Sequence, residues 1–248
     1  MTKPLQDQII MVTGASSGIG AATITTLLNA GARVVALARR IERLEQMQTS
    51  LEPGSDRLLP LCCDICDAQQ VEAAVKQALD WGGALHGLIN NAGLSRGGLH
   101  ETNQLEDLRV MLDTNVFALT NLTRLALPAL KDSQGTLINI SSTVVQALIP
   151  GSAVYSASKA AVAAFSEVIR KEVCASNVRV TTIYPGMVNT EFFDGITDPR
   201  KKQTFDKLKE TMDPLLAEDI AEVILFTLTR PGRVSLNEIV VRPTRQPI

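Results

Sequence analysis

The chain has 248 residues, with 45% hydrophobic and 20% charged side chains, and its formal net charge is −2. These values are typical of a globular protein and exclude the disordered and fibrous classes. The sequence has no basic stripe for nucleic acid and no apolar run of about 20 residues that would span a membrane. Because the amino terminus also lacks the apolar core of a signal peptide, we expect a cytoplasmic protein that binds small molecules.

Four cysteines are present, and three of them cluster at Cys62, Cys63 and Cys66. Neighbouring residues of a strand point to opposite faces, so this spacing does not direct the thiols toward one metal ion. We predict no metal site, and we expect buried, free cysteines in a reducing compartment.

Short apolar runs rich in β-branched residues alternate with longer amphipathic segments throughout the chain. This alternation is typical of β-α-β units around a parallel sheet, and no linker interrupts it, so we expect one domain over residues 1–248. The predicted strands are 9–12, 33–38, 58–62, 86–90, 136–141, 178–184 and 238–241. The predicted helices follow the first strand as far as Asn29 and then lie near 42–50, 67–81, 104–130, 154–176 and 215–228. The expected fold is α/β, with a doubly wound, parallel, seven-stranded sheet flanked by helices on both faces.

Residues 190–212 differ from the rest of this pattern. They are polar, contain Pro199, and carry Phe192, Phe193 and Phe205 among many charged residues. A loop of this length inside a compact domain commonly has a function. We predict a mobile lid over a substrate, and the alternative is a peripheral helical insertion that only packs.

A glycine-rich turn, residues 13–20, joins the first strand to the first helix. Gly14 would permit a tight exit from the strand, Gly18 a close approach of a diphosphate, and Gly20 close packing of the helix on the sheet. Free backbone N–H groups at the start of the helix would face phosphate oxygens. The turn therefore predicts a Rossmann-type dinucleotide site, although glycines also punctuate turns that bind nothing. Its predicted cofactor contacts are Gly14, Ser16, Ser17, Gly18, Ile19 and Gly20.

The second predicted strand ends in Ala38-Arg39-Arg40, without an acidic residue. A carboxylate here would bond the adenosine ribose of NAD, whereas guanidinium groups suit the 2′-phosphate of NADP. We therefore predict NADP(H) as the cofactor, with Arg39 and Arg40 on its phosphate. The alternatives are NAD(H), or two solvated arginines that only cap the next helix.

Tyr155 and Lys159 are four residues apart in a predicted helix, so their side chains share one face. A cation beside a phenol lowers the pKa of the tyrosine toward the range of a general acid or base. Ser142 follows a predicted strand at its carboxyl end, the edge where ligands bind in open α/β sheets, and its hydroxyl would donate to a carbonyl oxygen. Ser141 is the neighbouring alternative, and an exposed tyrosine beside a solvated lysine is the alternative to the catalytic pair.

Asn115 lies in the middle of an apolar predicted helix, where asparagine is unfavourable. One interpretation is that it holds a water molecule that returns protons to Lys159. The other is a buried amide whose hydrogen bonds are satisfied.

Together these residues resemble the short-chain dehydrogenase/reductase family over nearly the whole chain. The matching motifs are Thr13 to Gly20, Asn90 to Gly93, Asn115, Ser142, the Tyr155 and Lys159 pair, and Pro185 with Gly186. The spacing of thirteen residues between Ser142 and Tyr155 is that of the family and favours Ser142 over Ser141.

The resemblance implies a role for each matching residue. Tyr155 would donate or accept the proton, and Lys159 would also bind the nicotinamide ribose. Ser142 would orient the substrate oxygen, and Asn115 would support a water-linked proton relay. The further implied cofactor contacts are Asp64 and Ile65 at the adenine, Asn91, Ala92, Gly93, Pro185 and Gly186, and Val188 and Thr190 at the nicotinamide carboxamide. Asn91 would also stabilise the central sheet. Family members are usually tetramers built on the helices that correspond to 104–130 and 154–176, so a homotetramer is implied.

The carboxyl end, residues 236–246, lacks the glycine-rich ending common among acyl-carrier-protein reductases of the family. It looks more like the branch with 3-hydroxy-acid and serine dehydrogenases and clavaldehyde-type reductases. We expect hydride transfer between NADP(H) and a ketone, aldehyde or secondary alcohol, in a mainly apolar pocket. Val144, Pro150, Gly151, Met187 and the lid aromatics would complete this pocket. The alternatives are an NADP(H)-binding sensor or scaffold without turnover, and an NAD-dependent alcohol dehydrogenase.

Overall fold

The computed structural model describes residues 3–51, 54–196 and 198–247. Their strands are β1 Ile9–Thr13, β2 Arg33–Ala38, β3 Leu58–Cys62, β4 Gly87–Asn90, β5 Thr136–Ile140, β6 Arg179–Pro185 and β7 Glu238–Val241. Their helices are α1 Gly18–Asn29, α2 Ile41–Thr49, α3 Ala68–Gly82, α4 Leu105–Leu112, α5 Leu119–Ser133, α6 Val144–Ala147, α7 Ala153–Val173, α8 Pro199–Met212 and α9 Ala217–Leu228. The predicted strands and helices are all present, with bounds that differ by a few residues.

The strands form one parallel sheet in the order β3-β2-β1-β4-β5-β6-β7. The order along the chain reverses between β1 and β4, and in such sheets a crevice opens beyond the carboxyl ends of the strands at that point. The glycine-rich turn after β1 and the segment Asn91 to Gly93 after β4 both begin at this crevice. The predicted α/β domain with a doubly wound, seven-stranded sheet is therefore confirmed.

Each face of the sheet has its own apolar core. Ile10 and Val12 of β1 pack on one face with α1 and α9, whereas Ile9 and Met11 pack on the other face with α3 and α5. Helices on both faces explain why the strands read as continuous apolar runs without a polar face. No helix of the described ranges is long and apolar enough to cross a membrane.

A chain of buried amides crosses the middle of the sheet. The Asn90 side-chain nitrogen donates to the Thr123 hydroxyl of α5 and to the Asn139 side-chain oxygen, both at 2.9 Å. The Asn139 nitrogen then donates to the Ser166 hydroxyl of α7 at 2.8 Å. Because buried polar groups are costly unless they are hydrogen-bonded, this chain sets the position of α5 and α7 relative to β4 and β5.

Arg33, the first residue of β2, connects that strand to α3. Its guanidinium carbon lies 4.0 Å from the ring centroid of Trp81, and one of its nitrogens donates to the Trp81 carbonyl at 3.1 Å. The stacking is a cation–π contact that also covers the apolar face of the indole. It ties the end of α3 to the start of β2.

Residues 190–212 adopt a more regular structure than the predicted loop. Glu191–Gly195 form a 3₁₀ turn, and Pro199–Met212 form α8. Proline is favourable at the first helical position, and the Asp198 carboxylate accepts a hydrogen bond of 2.8 Å from the Arg200 N–H. Thr197 and the side chain of Phe193 lie outside the described part of the segment. The expectation of a loop is therefore wrong for α8, while the role of a lid stays a prediction.

The cysteines differ from the expectation of buried thiols. All four are free, but only Cys63 is buried, while Cys62, Cys66 and Cys174 are exposed. Cys62 lies at the end of β3, which is an edge strand, and Cys66 lies in the loop that follows. An edge strand is covered by fewer neighbours than a central one. The expectation that the cysteines are buried is therefore wrong for Cys62 and Cys66. Among the described residues, no group of His, Cys, Asp and Glu side chains is placed to hold a metal ion.

Candidate active site

A cavity of about 1300 Å³ runs along the carboxyl ends of the strands. Its walls come from the glycine-rich turn, the ends of β2 to β6, α7, the segment 190–212 and the carboxyl-terminal residues Gln246 and Pro247. The predicted site residues that line it are Gly14, Ser16, Ser17, Gly18, Ile19, Arg39, Arg40, Asp64, Ile65, Asn91, Ala92, Gly93, Ser142, Tyr155, Lys159, Pro185, Gly186, Val188 and Thr190. Gly20 and Asn115 are the predicted site residues that do not line it. The volume exceeds the 300 to 1,000 Å³ that is usual for one small ligand, so it has room for a dinucleotide and a substrate.

The glycine-rich turn is built so that only glycine fits at its third glycine position. A methyl group on Gly20 would lie 2.2 Å from the Gly14 carbonyl oxygen, so α1 starts in direct contact with the turn. Gly14 and Gly18 have positive φ values of 63° and 51°, which side chains rarely adopt. The turn therefore has the close backbone packing that a diphosphate site requires.

Thr13 and Asn91 connect this turn to the end of β4. The Thr13 hydroxyl accepts hydrogen bonds from the backbone N–H groups of Asn91 and Ala92, at 3.1 and 3.0 Å. The Asn91 side-chain nitrogen donates to the Thr13 carbonyl at 2.9 Å. This geometry agrees with the implied role of Asn91 in stabilising the central sheet.

The two arginines after β2 have different surroundings. Arg39 is exposed at the cavity wall, whereas Arg40 donates to the Ser16 hydroxyl at 3.2 Å and to the Ser17 hydroxyl at 2.8 Å. These contacts hold the Arg40 guanidinium against the glycine-rich turn. Arg43, one helical turn later in α2, also lines the cavity and was missed by the sequence analysis. Its spacing of three residues from Arg40 was the available signal.

Tyr155 lies near the start of α7 and lines the cavity together with Ser142, whose side chain acts to lower the pKa of the tyrosine. Val144 donates its backbone N–H to the Ser142 oxygen at 3.2 Å, which orients this serine. On its other side, the Tyr155 ring packs against Phe192, with 5.6 Å between the ring centroids. The arrangement places a phenol and a hydroxyl together at the cavity wall, beside an aromatic cover.

Lys159 and Ser141 form the buried support of this pair. The Lys159 ammonium donates to the Ile140 carbonyl at 2.8 Å, and the Ser141 hydroxyl donates to the Lys159 carbonyl at 2.9 Å. The Ser141 side chain is thus occupied in attaching α7 to the end of β5. This difference between the two serines supports Ser142 as the residue that faces a substrate oxygen.

Burial shifts the pKa values of both titratable residues. Desolvation lowers the pKa of Lys159 from 10.5 to about 8. Desolvation also raises the pKa of Tyr155 to about 12, and the hydrogen bond with Ser142 acts in the opposite direction. We expected Lys159 to lower the pKa of Tyr155. In the structure the pKa of Tyr155 is raised instead, because burial is the largest influence on it.

Asn115 lies in a turn of π-helix, Asp113–Ala118, between α4 and α5. Its side-chain oxygen accepts from the Leu94 N–H at 2.9 Å, and its nitrogen donates to the Leu94 carbonyl at 2.9 Å and to the Ser158 hydroxyl at 3.0 Å. The buried amide is therefore satisfied by protein groups, which supports the second interpretation of its side chain. It fixes the loop after Gly93 against α7.

Gln246, from the carboxyl-terminal segment, lies in the cavity wall near Met187 and was not foreseen. Its side-chain oxygen accepts from the Met187 N–H at 2.9 Å, and its nitrogen donates to the Thr143 hydroxyl at 3.4 Å. Val144 and Met187 line the cavity as expected, but Pro150 and Gly151 do not. The apolar members of the lining include Val144, Ala147, Ile149, Met187, Phe205, Leu208 and Met212.

Comparisons with known proteins agree with this fold and site. The family model described as short chain dehydrogenase matches residues 8–201. An uncharacterized oxidoreductase of Staphylococcus saprophyticus is 36% identical over 246 residues, which cover 98% of each chain. The chain therefore belongs to the short-chain dehydrogenase family of oxidoreductases.

Solved structures of the same fold cover nearly the whole chain. The closed form of a serine dehydrogenase complexed with NADP⁺ has a TM-score of 0.89 and 32% identity, with 97% of both chains covered. An alcohol dehydrogenase from the archaeon Thermococcus sibiricus, complexed with 5-hydroxy-NADP, has a TM-score of 0.86 and 27% identity, with 96% of this chain and 97% of that chain covered.

Proposed function

We propose that the protein transfers a hydride between NADP(H) and the carbon of a carbonyl group or secondary alcohol, with Tyr155 as the general acid or base. The placement of Tyr155 and Ser142 on the wall of one cavity, which begins at the glycine-rich turn, carries this proposal. The family supports an oxidoreductase. The substrate and the role of each residue are our inference.

The cavity residues fit a dinucleotide. Gly14, Gly18 and Gly20 leave the backbone of the turn open to a diphosphate, and Arg40 lies beside Ser16 where a 2′-phosphate would need cations and hydroxyl donors. Two solved relatives of the same fold contain NADP⁺ or a hydroxylated derivative of NADP. The nucleotides in these two structures support NADP(H) here. The nicotinamide, when bound, supplies or accepts the hydride.

Ser142 and Tyr155 would bind the substrate oxygen together. In reduction, both hydroxyls donate to the carbonyl oxygen, and Tyr155 gives its proton as negative charge develops there. In oxidation, Tyr155 takes the proton of the alcohol. The Lys159 ammonium, whose buried position is fixed by Ile140, stabilises a negative charge on the tyrosine oxygen when that proton leaves. Phe192, packed against the Tyr155 ring, limits the access of water.

The substrate end of the cavity favours an apolar substrate. The cavity wall includes the apolar side chains of Val144 and Met187, and α8 contributes Phe205, Leu208 and Met212 to it. An apolar lining with a few convergent polar groups is typical of sites for small organic molecules. We therefore propose a small or medium-sized ketone, aldehyde or secondary alcohol, with the segment 190–212 as the lid.

We also propose a homotetramer built on α4, α5 and α7. Leu105 is 75% exposed, Phe117 60% and Val168 53%, although all three are large apolar residues on these helices or the π-turn between them. Exposed apolar side chains that gather on neighbouring helices are typical of subunit interfaces. Light scattering coupled to size-exclusion chromatography measures the assembly directly, and a monomer would contradict it.

The test is oxidation of NADPH across a panel of ketones, aldehydes and 3-oxo esters, and reduction of NADP⁺ with the matching alcohols. The key variant is Tyr155→Phe. The matched control is Tyr184→Phe, which removes the hydroxyl of a second tyrosine that lies on β6. We expect Tyr155→Phe to abolish turnover while NADPH still binds, and Tyr184→Phe to keep it.

Two results would contradict the proposal. Tight NADPH binding without turnover of any substrate, in either direction, would favour a sensor or scaffold. A higher kcat/KM with NADH than with NADPH would favour an NAD-dependent alcohol dehydrogenase, and Arg39→Asp would then leave the use of NADH unharmed.

A further inference from the structure

Glu191, the second residue of the segment 190–212, forms ion pairs with two arginines of the cavity wall. Its carboxylate lies 2.9 Å from an Arg40 nitrogen, and 2.8 and 3.1 Å from an Arg43 nitrogen. Glu191 is far from both arginines in the sequence, so these contacts bring the start of the lid segment onto the start of α2. The three side chains are 40% to 47% exposed, and solvent and small anions therefore reach them.

The Glu191 carboxylate lies where two guanidinium groups, those of Arg40 and Arg43, would bind an anion. Arg40 uses its remaining nitrogens to donate to the hydroxyls of Ser16 and Ser17, so its guanidinium is oriented toward the turn. Arg43 adds a second guanidinium on the same carboxylate. Two guanidinium groups with two nearby hydroxyls form a site that suits a phosphate, which carries more charge and more acceptor oxygens than a carboxylate. Hydrogen bonds from Arg43 and Arg40 lower the pKa of Glu191, so it is ionised at neutral pH.

The residues on either side of Glu191 contact the two other functional parts of the cavity. The Thr190 methyl group lies 3.0 Å from the position that a Cβ atom would take on Gly18 of the turn. The Phe192 ring packs against Tyr155. Three consecutive residues therefore contact the diphosphate turn, the arginine pair and the proposed catalytic tyrosine.

We propose that Arg43, together with Arg40, binds the adenosine 2′-phosphate of the cofactor, and that Glu191 is an intramolecular competitor for that position. The inference rests on the proposed function and adds to it a further specificity residue. A bound 2′-phosphate replaces the carboxylate on both arginines and releases residues 190–192 from α2. NADH has no phosphate at this position, so with NADH the ion pairs of Glu191 stay in place. Exposed ion pairs contribute little stability, so a dianion is able to displace them.

The test measures the binding of two nucleotides that lack nicotinamide, adenosine 2′,5′-bisphosphate and AMP, by isothermal titration calorimetry. The variant Glu191→Gln removes the competing charge and keeps the shape of the side chain. We expect it to bind the bisphosphate about threefold to tenfold more tightly than wild type, as loss of two exposed ion pairs would give, with AMP unchanged. The matched control is Glu45→Gln on the exposed face of α2, which makes the same change in net charge without touching Arg40 or Arg43.

A second variant tests the arginine. Arg43→Ala should weaken the bisphosphate at least tenfold and leave AMP unchanged, because only the former carries the 2′-phosphate. Equal affinities of wild type and Glu191→Gln, or equal gains in Glu191→Gln and Glu45→Gln, would refute the competition. An unchanged affinity in Arg43→Ala would refute the phosphate contact. If the wild type binds neither nucleotide, the proposed cofactor is wrong as well, whereas binding of the bisphosphate with no effect of Glu191→Gln overturns this inference alone.

Discussion

The Lys159 ammonium donates a hydrogen bond of 2.8 Å to the Ile140 carbonyl, at the carboxyl end of β5. This contact joins α7 to the centre of the sheet from inside, and it keeps a cation in a position that is 3% exposed. A lysine with one hydrogen-bond partner in such a place reduces the stability of the protein, so its presence indicates a chemical use. The cost of burying it can be measured.

We expect the stability of the protein to rise with pH between about 8 and 10.5. Burial lowers the pKa of Lys159 from 10.5 to about 8, so in this window the unfolded chain binds a proton that the native protein has released. Relative to Lys159→Met, the wild type should gain up to about 3 kcal/mol in the free energy of unfolding from pH 7 to 10.5. Urea unfolding at several pH values measures this. Lys131→Met, at an exposed position of α5, is the control and should follow the wild type; a constant difference between Lys159→Met and wild type would contradict the assignment.

The two directions of the proposed reaction should depend differently on pH. Burial raises the pKa of Tyr155 to about 12, so the phenol keeps its proton near neutral pH. Reduction uses that proton and should vary little from pH 6 to 9, whereas kcat/KM for oxidation, which needs the phenolate, should rise by up to about tenfold per pH unit. Oxidation that is fastest at pH 6 would be incompatible with Tyr155 as the base.

Substitution of each of the two neighbouring serines, Ser141 and Ser142, by alanine should show which of them contacts the substrate. The hydrogen bond from Ser142 lowers the pKa of Tyr155, so Ser142→Ala should move the oxidation profile to higher pH and lower kcat about 10²-fold, as loss of a hydroxyl that stabilises the reacting oxygen does. Ser141→Ala removes the hydrogen bond to the Lys159 carbonyl and should lower stability without moving the profile. The opposite assignment of the two effects would show that Ser141 is the substrate residue.

Asn115→Ala should destabilise the protein by about 3 kcal/mol, because it leaves the N–H and carbonyl of Leu94 without the partners that they have in the structure. Urea unfolding measures the difference. Asn121→Ala, in α5, is the control, since among the described residues that side chain hydrogen-bonds the exposed Arg124 alone. If Asn115→Ala proved as stable as Asn121→Ala but lost activity, the relay interpretation of its side chain would be favoured over the structural one.

Gly20→Ala should weaken NADPH binding at least tenfold. The added methyl group would lie 2.2 Å from the Gly14 carbonyl, and the only relief is a shift of α1 or of the turn itself. Gly232→Ala is the matched control, because a methyl group there meets no atom within 4 Å. Fluorescence titration with NADPH measures both, and equal affinities would mean that the turn does not hold the cofactor.

The sheet could be predicted from the sequence because its strands are covered on both faces. Residues such as Ile9 and Ile10 enter opposite cores, so a strand appears as an unbroken apolar run. A helix in residues 190–212 was only the alternative to a loop because its residues are polar, although Asp198 and Pro199 form a helix start that the sequence contains.

The sequence was sufficient to bring the proposed catalytic residues to one cavity, because they lie in short local patterns. Tyr155 and Lys159 are one helical turn apart, and Ser142 follows a strand. The contact of Glu191 with Arg43 joins residues 148 positions apart, and no local pattern reports such a pair. The pKa of Tyr155 could not be predicted from the sequence either, because desolvation depends on the packing of the whole cavity.

The stacking of Arg33 on Trp81 gives the molecule a built-in optical probe. Trp81 is the single tryptophan of the chain, so its emission reports on one place, the junction of α3 and β2. Separation of the guanidinium from the indole would change that emission when the first half of the sheet opens. The unfolding of the variants can therefore be followed without a label, by the fluorescence of a residue that none of the proposed substitutions changes.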